Sequence, residues 1–202
     1  MPIPMDGRAV ALGEILETER LRLEPLRESH AGELFELLSD DRMYSFVPQQ
    51  PPPTLAALAA RYQHLETRRS PPGDEDWLNW VVRSKASSAC LGSVQVTIRH
   101  DGRAQLAYEI GAPYWRRGFA TEACDRVVQT LFDHGIREIW AELDTRNLAS
   151  IRLLERLGFL RGTLRRNADF FKGSSSDEWT YSLARSAEDE AIAERGPGIT
   201  SG

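Results

Sequence analysis

Two cysteines in 202 residues, no long apolar run and no phosphate-loop fingerprint set the first limits on this chain. Cys90 and Cys124 have neither metal-ligand nor C-x-x-C spacing, and are read as free buried thiols in a reducing compartment. No stretch approaches the roughly 18 apolar residues of a membrane helix. The opening MPIPMDGRAV carries Asp6 and lacks the apolar core of a secretory signal, so a cytoplasmic location is expected. The four histidines (His30, His64, His100, His134) are far apart, and no metal is expected. A net charge of −5 argues against broad nucleic-acid binding. There is no G-x-x-x-x-G-K-[ST] and no G-x-G-x-x-G, which excludes the common nucleotide and dinucleotide loops. Internal repeats are absent.

What remains is a chain with 41% hydrophobic residues, enough for one domain with a sizeable core. Residues 1–14 read as a flexible leader, 15–185 as the domain and 186–202 as a charged, then Gly-rich, disordered tail. Alternation marks a first strand over Arg20–Leu26. Ser29 can cap a helix whose apolar face is Leu34, Phe35, Leu37 and Leu38. A Pro/Gln-rich break at Pro48–Pro53 precedes a second helix, capped by Thr54 and ending near Thr67. The segment 70–76 (SPPGDED) reads as a loop, and Trp77–Arg83 as a strand. Gly92–Arg99 and Arg103–Gly111 alternate about an Asp101-Gly102 turn, the pattern of a hairpin. Glu138–Leu143 is a short strand. Phe159–Arg165 and Glu178–Ala184 read as closing strands separated by a polar loop at 172–177. The order β α α β β β α β α β β implies a mixed sheet with packed helices.

Two stretches carry chemistry. The first is YWRRGFATEACDRVV (114–128). Ala120, Ala123, Cys124, Val127, Val128, Leu131 and Phe132 form one stripe at helical spacing, and Gly135 stops the helix. The spacing predicts a helix from about Phe119 to His134, with Arg116–Gly118 at its N-terminus. Such an end offers unpaired N–H groups and a partial positive charge, a place for an anion. A solvated turn is the plain alternative for the two arginines. The second stretch is DTRNLASIRLLERLGF (144–159). Asn147 and Ser150 share one face at the start of a helix, with Ile151, Leu154 and Leu157 on its apolar side. Here the plain alternative is a capped helix with Asn147 as the cap.

Taken with TERLRLEPL (18–26), LAYEIGAPYWRRGFATEA (106–123) and the closing DEWTYSL (177–183), these stretches resemble the GNAT superfamily of acyl-CoA-dependent N-acetyltransferases. The resemblance spans about residues 18–184 and is nearest the branch of ribosomal-protein alanine and serine N-terminal acetyltransferases. It implies a single α/β (α+β) domain: a central mixed, mostly antiparallel, twisted sheet of about seven strands with about four helices. It also implies acetyl-CoA as cosubstrate, cradled by the backbone of Arg116, Arg117, Gly118, Phe119, Ala120 and Thr121, with Asn147 on the pantetheine arm. The superfamily pattern [QR]-x-x-G-x-[GA] is broken at its first position, Trp115, which is expected to pack rather than bind phosphate. Many members carry a tyrosine as the acid for the departing thiolate where this chain has Leu154. In the resembling branch a serine is the substitute, which makes Ser150 the candidate.

The implied reaction is attack of an amine on a thioester. A peptide α-amine, with a pKa of about 7.7–8.0, is roughly ten per cent neutral at pH 7, whereas lysine, near 10.4, needs a stronger base. Glu109, on the strand face opposite Leu106, Tyr108 and Ile110, is the leading base. It reads equally as a solvent-facing or loop-ordering glutamate. Asp169 is a second candidate, Glu122 is expected to steady the first helical turn, and Tyr108 is expected in the core. An oxyanion donor is expected at Ile110–Gly111. The acceptor pocket is expected from helices one and two, with Ser45–Pro53 between them, and from Arg165–Lys172; Met43, Tyr44, Phe46 and Trp77 could line it or simply pack in the core. Asp40 and Asp41 could draw a cationic amine or simply be solvated. The acceptor is a protein N-terminus or a small amine, with no nucleic-acid or membrane partner, and the protein is a monomer or a homodimer through the last strands. A non-catalytic acyl-CoA sensor is the alternative function.

Overall fold

The computed structural model describes residues 14–185. The expected leader and tail therefore lie outside the described residues, apart from Glu14. The chain order is β1 (Leu16–Glu17), β2 (Leu21–Pro25), α1 (Ala31–Leu38), α2 (Leu55–Glu66), β3 (Glu75–Ser84), β4 (Cys90–Arg99), β5 (Arg103–Ile110), α3 (Phe119–Asp133), β6 (Glu138–Asp144), α4 (Leu148–Arg156), β7 (Leu160–Phe171) and β8 (Ser174–Ala184). Single 3-10 turns lie at Glu28–His30, Asp41–Tyr44 and Ala112–Tyr114. The eight strands form one sheet in the order β1-β2-β3-β4-β5-β6-β8-β7. Every neighbouring pair is antiparallel except β5–β6, which is parallel. The expected mixed, mostly antiparallel sheet with four helices is present, and the two-residue β1 makes the eighth strand.

Each face of the sheet has its own core. On one face Leu21 and Leu23, Val94, Val96 and Ile98, and Leu106 and Ile110 meet the buried stripe of α3: Ala123, Cys124, Val127 and Leu131. Burying one such leucine or valine contributes about 2 kcal/mol. The opposite face holds Leu26, Val81 and Cys90 under Leu34 and Leu38 of α1 and Leu58 and Tyr62 of α2. Both cysteines are free and buried, as expected. Thr54 caps α2 by accepting the Ala57 N–H at 3.1 Å, also as expected.

Two readings of the sequence need correction. Ser29 does not cap α1. It lies inside the Glu28–His30 turn, where the His30 Nδ1 accepts the Arg27 N–H and draws the chain into a tighter entry. The polar segment 172–177 is not a loop either. β7 and β8 continue as a long hairpin that turns at Lys172 and Gly173. β7 is the sheet edge and is exposed along most of its length, so neither face carries an apolar alternation.

The decisive feature is the parallel join. β5 and β6 pair only over Arg103–Gln105 and Glu138–Trp140. Beyond that point β5 runs on to Ile110 and β6 to Asp144 without pairing, so the sheet is split from the middle toward the carboxyl ends of both strands. α3 and α4 start at those two ends.

Candidate active site

The β5 end of the split leads into the loop before α3. The Trp115 indole N–H donates to the Ile110 carbonyl, which sets the path out of β5. Trp115 otherwise stays exposed, so it anchors the loop by this bond more than by packing. Arg116 (φ 60°) and Gly118 (φ 79°) both take the left-handed conformation, which curls the backbone so that successive N–H groups converge. The first helical bond is Glu122 N–H to Gly118 O, at 3.0 Å. The Arg117 N–H closes the turn over Trp115 and Arg116, whereas the N–H groups of Arg116, Gly118, Phe119, Ala120 and Thr121 have no acceptor among the described residues. The positive end of a fifteen-residue helix stands behind them.

This cradle is braced by a residue that periodicity did not single out. Arg20, in the turn before β2, donates to the Arg117 carbonyl at 3.0 Å and lies 4.7 Å from the centre of the Phe119 ring. It also pairs with Glu122, with Nε to Oε2 at 2.6 Å. Thr18 donates to the other Glu122 oxygen. Burial raises the Glu122 pKa, but the bonds from Thr18 and Arg20 outweigh it and hold the carboxyl below its ordinary range. Glu122 therefore ties the first turn of α3 to the β1–β2 turn, and its charge is compensated there. If the loop holds the acetyl-CoA that the resemblance implies, Arg20→Ala raises its KM about tenfold while kcat stays within about threefold, because the brace touches the loop. Steady-state kinetics at varied acetyl-CoA check this, and an unchanged KM would remove Arg20 from the account.

At the other end of the split, Asp144 is buried and accepts from Arg146 and from the Ser176 hydroxyl. This fixes the loop into α4. Asn147 is the N-cap, its Oδ1 accepting the Ser150 N–H at 3.1 Å. The capping role is thus present, and it leaves the Asn147 side-chain N–H groups without an acceptor among the described residues. Ser150 is half-buried in the first turn of α4. Tyr108 on β5 packs against the main core, as expected, and burial, with the Cys124 charge second, pushes its phenol well above its ordinary pKa.

Glu109 points to the opposite face, toward α1 and α2. Its Oε1 accepts from Ser93 Oγ at 3.0 Å. Burial pushes its carboxyl above the ordinary range, against the opposing charge of Arg61 and the Ser93 bond. It is half-buried, and its one hydrogen-bond partner among the described residues is Ser93 on β4 and not the loop before α3. Two tyrosines share its surroundings. Tyr44 donates to the Leu38 carbonyl at 2.8 Å, and burial together with the Glu109 charge pushes it up to about 12. Tyr62 is buried, and its hydroxyl has no partner.

Several expected site residues are placed elsewhere. The Gly111 N–H already donates to the Leu91 carbonyl at 2.8 Å, so it is not an oxyanion donor. Asp169 lies in β7, where its Oδ1 accepts the Phe170 N–H, and no contact joins it to Glu109. Asp40 caps the Asp41–Tyr44 turn and is paired with Arg42 at 2.6 Å, which neutralises it as a lure for an amine. Trp77 meets His64 of α2 edge-on, with ring centres 5.3 Å apart. Met43 packs on the second core, and Phe46 is exposed. Lys172, at the tip of the β7–β8 hairpin, donates to the carbonyl of Tyr44, one residue before the Ser45–Pro53 segment.

A model of the acetyltransferase (GNAT) domain matches residues 20–160. The chain belongs to the GNAT acetyltransferase family. The chain is 26% identical over 177 residues to an uncharacterized N-acetyltransferase, YoaA, of Bacillus subtilis (strain 168), covering 86% of this chain and 98% of that one. It is 28% identical over 93 residues to the ribosomal protein bS18-alanine N-acetyltransferase of Escherichia coli (strain K12), covering 46% and 62%. Among solved structures, a GCN5-related N-acetyltransferase from Brucella melitensis superposes with a TM-score of 0.73 at 26% identity, covering 91% of this chain and 83% of that one. GNAT membership supports acetyltransferase activity and acetyl-CoA as cosubstrate. Among the described residues no helix is long and apolar enough to cross a membrane, and no three potential metal ligands stand together.

Proposed function

We propose that the protein transfers an acetyl group from acetyl-CoA to a primary amine by direct attack, on residues gathered at the split between β5 and β6. The observation that carries this reading is the run of four consecutive backbone N–H groups without acceptors among the described residues, Gly118 to Thr121, at the start of α3. A row of donors at a helix N-terminus suits the pyrophosphate of the cosubstrate. The unpaired inner edges of β5 and β6 suit its slim, amide-bearing arm, and the Asn147 amide completes that side. The cosubstrate supplies an activated thioester carbonyl.

The remaining roles fall to side chains. Glu109 takes a proton from the acceptor amine, directly or through water, as the nitrogen forms its bond to the acetyl carbon. The carbon–sulfur bond breaks, and the sulfur receives a proton or a hydrogen bond from Ser150. Because a thiol has an ordinary pKa of about 8.5, a weak donor is sufficient there. The acceptor class nearest the sequence is a protein N-terminus beginning with alanine or serine, and a small-molecule amine is the other form of the same reading.

Thiol release from acetyl-CoA, measured against a panel of N-terminal peptides and small amines, tests the function. Release with any of them supports it. Binding of acetyl-CoA without release from any acceptor would favour the sensor instead. Ser150→Ala tests the assignment at the sulfur: kcat is expected to fall about 10- to 100-fold with little change in acetyl-CoA binding. Full retention of kcat would remove Ser150 from the mechanism.

A further inference from the structure

We propose that Ser93 is a positioning residue for Glu109, the outlet of a short donor chain that runs from Gln95 through Ser93 to the carboxylate, fixing one carboxylate oxygen and leaving the other to take the proton. The inference rests on the acetyltransferase reading, in which Glu109 is the base.

The sheet lays out the chain. Ser93 of β4 stands directly opposite Glu109 of β5, and Gln95, two residues on, shares the same strand face. Ser93 is 3% exposed, and a hydroxyl so placed needs a polar partner. Its neighbour on the other side, Val81 of β3, has a side chain that offers none. The Ser93 Oγ donates to Glu109 Oε1 at 3.0 Å, and the Gln95 Nε2 donates to Ser93 Oγ at 3.4 Å. Valence sets the direction. A hydroxyl has one hydrogen and two acceptor positions. Gln95 fills one acceptor position, and the hydrogen goes to the carboxylate.

Held from a neighbouring strand, the carboxylate does not turn freely about its last bond, so Oε2 keeps one aim. The same bond bears on ionisation. A donor bonds more strongly to a carboxylate than to the neutral acid. Burial raises the Glu109 carboxyl, and the charge of Arg61 on α2, followed by the Ser93 bond, opposes it. The other titratable groups acting with Glu109 are Tyr44, of the Asp41–Tyr44 turn, and Tyr62 of α2, both pushed up by burial and neutral. Arg61 is exposed, so water and salt screen its charge. Ser93 is buried, and its bond is not screened in that way. Without the Ser93 hydroxyl, burial is opposed only by a screened cation.

Carbon-13 NMR of the glutamate side-chain carboxyls tests this on the full-length protein and needs no turnover. Loss of one signal in Glu109→Gln assigns Glu109. Ser93→Ala is expected to raise the Glu109 titration midpoint by about one pH unit or more, the worth of one hydrogen bond to a charged group. Ser93→Cys, close to serine in size but a weak donor, is expected to raise it likewise, which separates the bond from packing. Gln95→Leu is expected to raise it about half as much, and an unmoved midpoint there would remove Gln95 from the chain. A midpoint that stays or falls in both Ser93 variants would overturn the proposal alone. The acidic limb of the pH–rate profile is expected to move with the midpoint. A limb that stays while the midpoint moves would overturn Glu109 as the base, and the proposal with it.

Discussion

Replacing Gly92 with alanine is expected to lower stability by about 3 kcal/mol or more, near the top of the range for a single substitution. Gly92 has a φ of 149°, in a region that side-chain-bearing residues rarely adopt. A Cβ there would stand 2.0 Å from the Glu109 carbonyl oxygen and 2.8 Å from the Ile110 Cα. The obstacle is backbone, so no rotamer change relieves it. Either β4 and β5 part where Gly92 faces Ile110, or the fold is lost. Urea denaturation measures the cost, with Gly32→Ala as the control. Gly32 lies in α1 with nothing within 4 Å of a new Cβ, and alanine there is expected to gain about 0.5–1 kcal/mol. A Gly92→Ala protein within about 1 kcal/mol of the natural one would show that the strands can part cheaply.

Glu109→Gln is expected to separate activity from stability. If Glu109 is the base, kcat falls about 100-fold or more, and the acidic limb of the pH–rate profile disappears. In the natural protein that limb should lie above the ordinary glutamate range, because burial raises the Glu109 pKa. The effect on folding has the opposite sense. A carboxyl whose pKa is raised by folding binds its proton more tightly in the folded state. Its contribution is therefore most favourable below the unfolded pKa and is lost as pH rises through the folded one. Glutamine keeps the shape without the charge. Its thermal midpoint should match or fall below that of the natural protein in acid and exceed it at neutral pH. Parallel pH–rate and pH–stability curves check both halves. A variant that is inactive and less stable at every pH would mean that Glu109 is held by a partner in the folded state.

The elements that were legible in the sequence are those whose pattern is local. The α3 stripe from Ala120 to Phe132 and the Asp101-Gly102 hairpin read directly, because one face of each is buried and the other is not. The cradle at Arg116–Thr121 was legible as a glycine-bearing turn ahead of a strong helix. The long β7–β8 hairpin was not, because an exposed edge strand has no buried face to imprint an alternation. Arg20 and Glu122 are 102 residues apart, so nothing in either neighbourhood announces their pairing. Tyr62 looks in sequence like any aromatic on the apolar side of a helix. Only its buried hydroxyl, unpaired among the described residues, sets it apart. The Gly111 donor failed for a similar reason: whether an N–H at a strand end is free depends on a neighbouring strand, here on Leu91.

The short join between β5 and β6 also bears on which molecules can enter. Exposed strand edges invite other chains to pair with them, and proteins ordinarily shield the outer edges of their sheets. Here two edges face each other inside a sheet, in a slot closed at one end by the pairing of Arg103–Gln105 with Glu138–Trp140. A thin, flexible chain with its own amide groups would use such edges as a strand does, and selection there would rest on main chain on both walls. Side-chain changes along β5 and β6 should therefore alter which acceptor is used far more readily than which donor is admitted.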